Sequence, residues 1–133
     1  MMSIRSSSRA REELSARWEA QIRKGCLEMA ILASLWKSKL YGLEILQALE
    51  GRSSLGLAEG TLYLILNRLK TERLVDSQWV DRGTGHPRKY YWLTAAGESR
   101  LRIMARFWIR FSAGLDSLLE PVVGRKESQN AKR

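Results

Sequence analysis

A chain of 133 residues with 23 lysines and arginines against 14 aspartates and glutamates carries a formal charge of +9, which favours anionic partners, nucleic acid first and anionic membrane second. Hydrophobic residues make up 44% of it, enough for one core, yet the longest apolar stretch, Met29 to Trp36, is broken by Ser34 and too short to cross a bilayer. The single cysteine, Cys26, excludes an internal disulfide, and the start holds no apolar run of signal-peptide length, so a cytoplasmic protein without membrane association is expected.

Residues 1–17 hold four arginines and two glutamates among serines and predict a basic flexible arm that turns helical near Glu12. From Trp18 to Trp36 the helical period takes over. Ile22, Cys26, Met29, Ala33 and Trp36 fall on one face and Leu27, Ile31 and Leu35 on the other, which predicts a helix buried on two sides. YGLEILQALEG reads as a short amphipathic helix stopped by Gly51, and RSSLGLAEG as a turn. The segment Ala58 to Arg73 is helical again, with Leu62, Ile65, Leu66 and Leu69 on one stripe and Gly60, Leu64, Asn67 and Thr71 opposite. LVDSQWV and RKYYWLT, separated by DRGTGHP, predict a β-hairpin with a longer loop. Thr94 offers an N-cap for a helix over Ala95 to Leu119, with Pro121 marking its end and a disordered polar tail over 121–133.

Three helices, a hairpin and a last helix describe a mainly α fold with a small β-hairpin. This is the winged helix-turn-helix plan over residues 18–94, followed by a C-terminal dimerisation helix over 95–120.

Catalysis finds little support. One histidine and one cysteine cannot build a zinc site of the usual kind, and His86 sits at a Gly/Pro loop tip where a general base would not be held. Cys26 reads as a small buried hydrophobe, and no phosphate-cradling glycine loop is present. No enzyme activity, cofactor or metal is expected. The third helix says more. Its outer side carries Thr61, Tyr63, Asn67, Arg68 and Thr71: Asn can bond adenine edges, Arg guanine or phosphate, and the hydroxyls phosphate. Leu64 on the same side could meet a thymine methyl. The plain alternative is a solvated helix face. In the hairpin, Arg82, Arg88 and Lys89 flank a glycine-rich loop, while Tyr90, Tyr91 and Trp92 alternate sides, one going inward and another staying beside the cations. A basic wing next to a polar-faced helix describes a single surface for double-stranded DNA.

The last helix repeats Leu101, Met104, Trp108, Phe111, Leu115 and Leu119 at helical spacing, and Ile103, Phe107 and Leu118 widen the stripe opposite a rail of Arg102, Arg106 and Arg110. Such a stripe predicts a twofold homodimer, with packing against the first helix of the same chain as well.

LYGLEILQAL, EGTLYLILNRLKTERLV and GHPRKYYWLTAAG, in this order and over about residues 20–120, resemble the PadR family of bacterial transcriptional regulators, in its shorter branch with a single C-terminal helix. The resemblance implies a winged-helix repressor that binds DNA as a homodimer until a signal releases it. Carried over, the DNA contacts are Tyr41, Thr61, Tyr63, Asn67, Arg68 and Lys70, with His86, Arg88, Lys89 and Tyr90 on the wing. Some ligand-responsive members stack a flat small-molecule effector on a tryptophan of the last helix. Trp108 stands at the matching position, where packing in the dimer core is the other reading. Two departures stand out: Leu64 replaces a frequent proline, and Arg73 a frequent glycine, which costs about 1 kcal/mol if that backbone is left-handed. Two other functional classes fit the composition: a winged-helix module that docks a protein through its basic face, and a nonspecific nucleic-acid binder.

Overall fold

The computed structural model describes residues 4–53, 55–83 and 85–124. Along the chain run α1 (Ile4–Ser34), β1 (Leu40–Tyr41), α2 (Gly42–Ser53), α3 (Glu59–Thr71), β2 (Val75–Val80), β3 (Arg88–Leu93) and α4 (Ala95–Val123). The strands form an antiparallel sheet in the order β1-β3-β2, with Tyr41 opposite Tyr90, Ser77 opposite Tyr91 and Trp79 opposite Lys89. This is a winged helix-turn-helix with a small sheet.

The core forms where the apolar stripes converge. Ile31, Leu32 and Leu35 of α1 meet Ile45 and Leu49 of α2 and Leu62, Leu66 and Leu69 of α3. Leu74, Val75, Tyr91 and Leu101 close it from the sheet and α4, and Ile65 packs against its edge. The inward stripe read from the sequence of α3 is therefore the one the fold buries.

Several boundaries differ from expectation. The arm over residues 1–17 is helical from Ile4 and continuous with α1, so no break falls at residue 17. Its arginines, glutamates and alanines favour helix, and Glu13 and Arg17 stand at a favourable four-residue spacing. Gly51 does not end α2, which continues to Ser53, because a glycine with an ordinary helical φ only weakens a helix. Pro121 lies inside α4, where its missing N–H removes one bond in the last turn, and Gly124 at φ 94° ends the helix instead. Most of the proposed tail, residues 125–133, lies outside the described residues. The strand β1 was not expected, since two residues are too short to show a period. Finally, the second face of α1 is only partly covered: Met29 packs against the core, whereas Ile22, and Trp36 just beyond the helix, are exposed.

One junction joins α3, the sheet and α4. Leaving α3, Arg73 takes a left-handed φ of 62°, and the amides of Arg73 and Leu74 donate to the carbonyls of Lys70 (3.0 Å) and Leu69 (2.9 Å). The Thr94 hydroxyl donates to the Arg73 carbonyl at 2.6 Å and accepts from the Gly97 amide at 3.0 Å, while the Thr94 amide donates to the Leu74 carbonyl at 3.1 Å. The first turn of α4 thus lies directly on the Leu74 backbone, and a Cβ at Gly97 would collide with the Leu74 carbonyl oxygen. Gly97→Ala is expected to destabilise the fold by about 3 kcal/mol, as overpacking against rigid backbone does. Thr94→Ala removes a cap worth about 1 kcal/mol. Urea unfolding checks the order, and a Gly97→Ala variant as stable as wild type would contradict this packing.

Candidate nucleic-acid interface

Burying Leu62, Leu66 and Leu69 turns the other side of α3 outward. Thr61, Tyr63, Leu64, Asn67, Arg68 and Lys70 are all exposed. Neighbouring groups fix several of them. The Tyr63 ring lies across the start of α2, against Gly42, where a Cβ would collide with its hydroxyl. Beside it the Tyr41 amide donates to Glu44 Oε1 at 3.2 Å, which caps α2. Arg68 Nη1 reaches Glu72 at 3.2 Å and Glu28 of α1 at 3.5 Å, so two carboxylates hold its guanidinium in the absence of another anion. The Lys70 ammonium donates to Ser77 Oγ at 2.7 Å and so leans toward β2.

Strand alternation sorts the hairpin into two faces. Tyr91, Lys89, Ser77 and Trp79 share the face toward α3; Arg88, Tyr90, Trp92, Gln78, Val80 and Tyr41 share the other. Between α3 and the hairpin, Tyr41, Gly42, Tyr63 and Asn67 together with Trp79, Pro87, Arg88, Lys89 and Tyr91 line a cleft of about 370 Å³, which Tyr41 and Arg88 reach from the far face of the sheet. Arg88 stacks over the Tyr41 ring at 4.4 Å, and Lys89 stands 5.8 Å from the Trp79 ring and 5.7 Å from that of Tyr91. Aromatic supports of this kind pre-order long cationic side chains and lower the entropy lost when an anion binds. At the loop, Asp81 Oδ1 accepts from the Gly83 amide at 2.9 Å, and Gly83 and Gly85 both adopt a φ of 77° that other residues resist.

The cleft thus brings together Tyr41, Tyr63, Asn67, Arg88 and Lys89 from the residues proposed on sequence. Thr61 and Arg68 lie on the same helix outside it, His86 is exposed on the loop, and Lys70 turns to the hairpin. Tyr90 is directed elsewhere: it faces away from α3, edge-on to Tyr41 with ring centroids 5.5 Å apart and with Arg82 over its ring at 5.3 Å. Trp79, 63% exposed, was not anticipated. Its even spacing from Val75 along a strand was the available signal, since Val75 had to point inward.

The last helix divides its stripe. Leu101, only 6% exposed, belongs to the core of its own chain, and Met104 packs against that core, so these two leave little surface for a partner. Trp108, Phe111, Leu115 and Leu119 are exposed, as are Ile103, Phe107 and Leu118. Phe107 and Phe111 stack at 5.3 Å, and Trp108 tilts toward Phe111 at 6.3 Å. The first helix adds a second exposed stripe of Leu14, Trp18 and Ile22. Among the described residues no helix is long and apolar enough to cross a membrane, and no cluster of three His, Cys, Asp or Glu could hold a metal.

Residues 31–103, more than half of the chain, match the model of the transcriptional regulator PadR-like family. The chain belongs to that family. A PadR family regulator of Eggerthella lenta DSM 2243 is similar at 31% identity and a TM-score of 0.73, over 84% of this chain and 96% of that one. A PadR family regulator from Clostridium difficile R20291 is similar at 32% identity and a TM-score of 0.66, over 71% and 99%. Bacillus subtilis PadR, solved in complex with operator DNA, is 26% identical with a TM-score of 0.55, over 59% of this chain and 46% of that one. In this PadR-like regulator the matched stretch holds α2, α3 and the hairpin, while most of α1 and of α4 lies outside it.

Burial raises the Tyr91 phenol above its ordinary value, and the neighbouring Tyr63 adds to the shift. The folded PadR-like chain therefore favours the neutral phenol. The stability this gives is complete below about pH 10, the unfolded value, and is lost as pH rises through the higher folded value. Tyr91→Phe should lose less stability than wild type between neutral pH and pH 11 in urea unfolding; parallel losses would show that this phenol is not desolvated.

Proposed function

We propose that this PadR-like regulator binds specific double-stranded DNA as a homodimer, represses transcription by occupying its operator, and is not an enzyme. The observation that carries this reading is the uncovered polar face of α3, joined across one cleft to a cationic, aromatic-backed wing. With α3 in a major groove, Asn67 is placed to bond an adenine edge and Arg68 a guanine or a phosphate, once it exchanges its own carboxylates for that partner. Tyr41, Thr61, Tyr63, Arg88 and Lys89 then meet the backbone, and His86 and Lys70 lie at its margin. The operator complex of Bacillus subtilis PadR supports the choice of DNA over another anion. A cytoplasmic location follows from this role.

The dimer reading is supported by the apolar surface left open on the two long helices. Trp108, Phe111, Leu115 and Leu119 are all exposed, as are Leu14, Trp18 and Ile22 of α1, and apolar surface repeated along a helix in this way suits a partner helix. A twofold pair would present two copies of α3 to two half-sites. Trp108 is 38% exposed beside Phe111, so a flat aromatic effector has a ring to stack on.

Binding titrations at several salt concentrations test the first part. The protein should prefer its own upstream region over random duplex by roughly 10³-fold or more. Equal affinity for every duplex would favour a nonspecific binder, and no binding at low salt a protein-docking module. Asn67→Ala should relax preference at one base position, whereas Arg88→Ala should weaken all sequences alike and flatten the salt slope by about one unit. For the dimer, Leu115→Glu should sediment as a monomer, and a wild type already monomeric at micromolar concentration would refute that part.

A further inference from the structure

Leu64 is 73% exposed, the one large aliphatic side chain among the polar groups on the outward side of α3. At about 100° per residue it points directly away from the buried Leu62, Leu66 and Leu69, in the middle of the outward row. Gly60 precedes it by one turn, and Asn67 and Arg68 follow it by one turn. A Cβ at Gly60 would meet nothing within 4 Å, so nothing in this chain's own packing calls for glycine there. Together the two residues present a bare stretch of backbone next to a single aliphatic side chain, flanked by hydrogen-bonding groups. That combination suits a surface that is approached closely and is polar except at one point. Along the floor of a DNA major groove, the apolar group offered by a base is the 5-methyl of thymine.

Building on the DNA reading above, we infer that Leu64 is a specificity-determining residue that selects thymine through its 5-methyl group, with Gly60 letting the helix backbone come near enough. The side chain cannot hydrogen-bond, so it is indifferent to the O4 or N4 beside that methyl. Asn67 reads a donor and acceptor pair one turn further on, and the two contacts are chemically independent.

The test uses the full chain and the duplex it enriches from a random-sequence pool. Each thymine is replaced in turn by deoxyuridine, which removes the methyl and leaves every hydrogen-bonding group in place. One thymine in each half-site should respond, with binding weakened about fourfold, the worth of one buried methyl group. Leu64→Ala, which empties no core space, should weaken binding to the intact duplex by a similar factor and abolish the response. Asn67→Ala should keep it. Replacing the sensitive T·A pair by C·G should cost affinity that 5-methylcytosine partly restores. An enriched duplex in which no thymine responds, or a response that survives Leu64→Ala, overturns the role of Leu64 while leaving DNA binding intact. Failure to enrich any duplex overturns both.

Discussion

The constraint on which the rest of the molecule depends is the contact of the first turn of α4 with the Leu74 backbone. Gly97 makes it possible, because any larger residue would meet the Leu74 carbonyl. Thr94 fastens it, bonding the Arg73 carbonyl with its hydroxyl and the Leu74 carbonyl with its amide. The end of α3, the start of β2 and the start of α4 are therefore one rigid piece. Left-handed backbone at Arg73 is required to form it, and the arginine accepts about 1 kcal/mol of strain that a glycine would avoid. A fold that tolerates that cost shows how strongly the surrounding hydrogen bonds determine the junction.

From this fixed piece the outward surface follows. The α3 stripe faces the core, so its opposite side has no choice but to face out, and β2 leaves the junction in a direction that sets the hairpin beside α3. Trp79 and Lys89 come to oppose Tyr63 and Asn67 across the cleft through strand register alone. Cations on this surface are not free-floating: Arg88 rests on Tyr41, Lys89 lies near Trp79 and Tyr91, and Arg68 is held by Glu28 and Glu72. Exposed ion pairs of the last kind contribute only about 0–1 kcal/mol, so a phosphate or base edge can displace them readily.

Much of this was legible in the sequence, for identifiable reasons. The stripe Leu62, Leu66, Leu69 has an unbroken helical period, and from it both the core face and the outward face of α3 follow. The hairpin was legible because two runs rich in aromatic and β-branched residues flank a glycine loop. What escaped notice depends on tertiary pairing. The strand Leu40–Tyr41 exists only because β3 pairs with it, and Tyr90 faces away from α3 because its neighbour Tyr91 is the one drawn into the core. Leu101 fitted the dimer stripe by period, but proximity to the junction draws it into its own core. Period alone cannot distinguish a residue buried within a chain from one that is free to meet a second copy.

That distinction bears on how two copies would read one operator. The near end of α4 is locked to the end of α3 through Thr94 and Gly97, and its far end carries the open apolar stripe. If α4 pairs with its twin beyond Met104, the angle of that pairing is passed through a rigid helix and a rigid junction to the reading face. Half-site spacing, one DNA turn of about 34 Å or a multiple, then becomes a property of the helix pair and not of the wing. In a fold this small, the surface that would assemble the dimer and the surface that would read DNA cannot be adjusted independently.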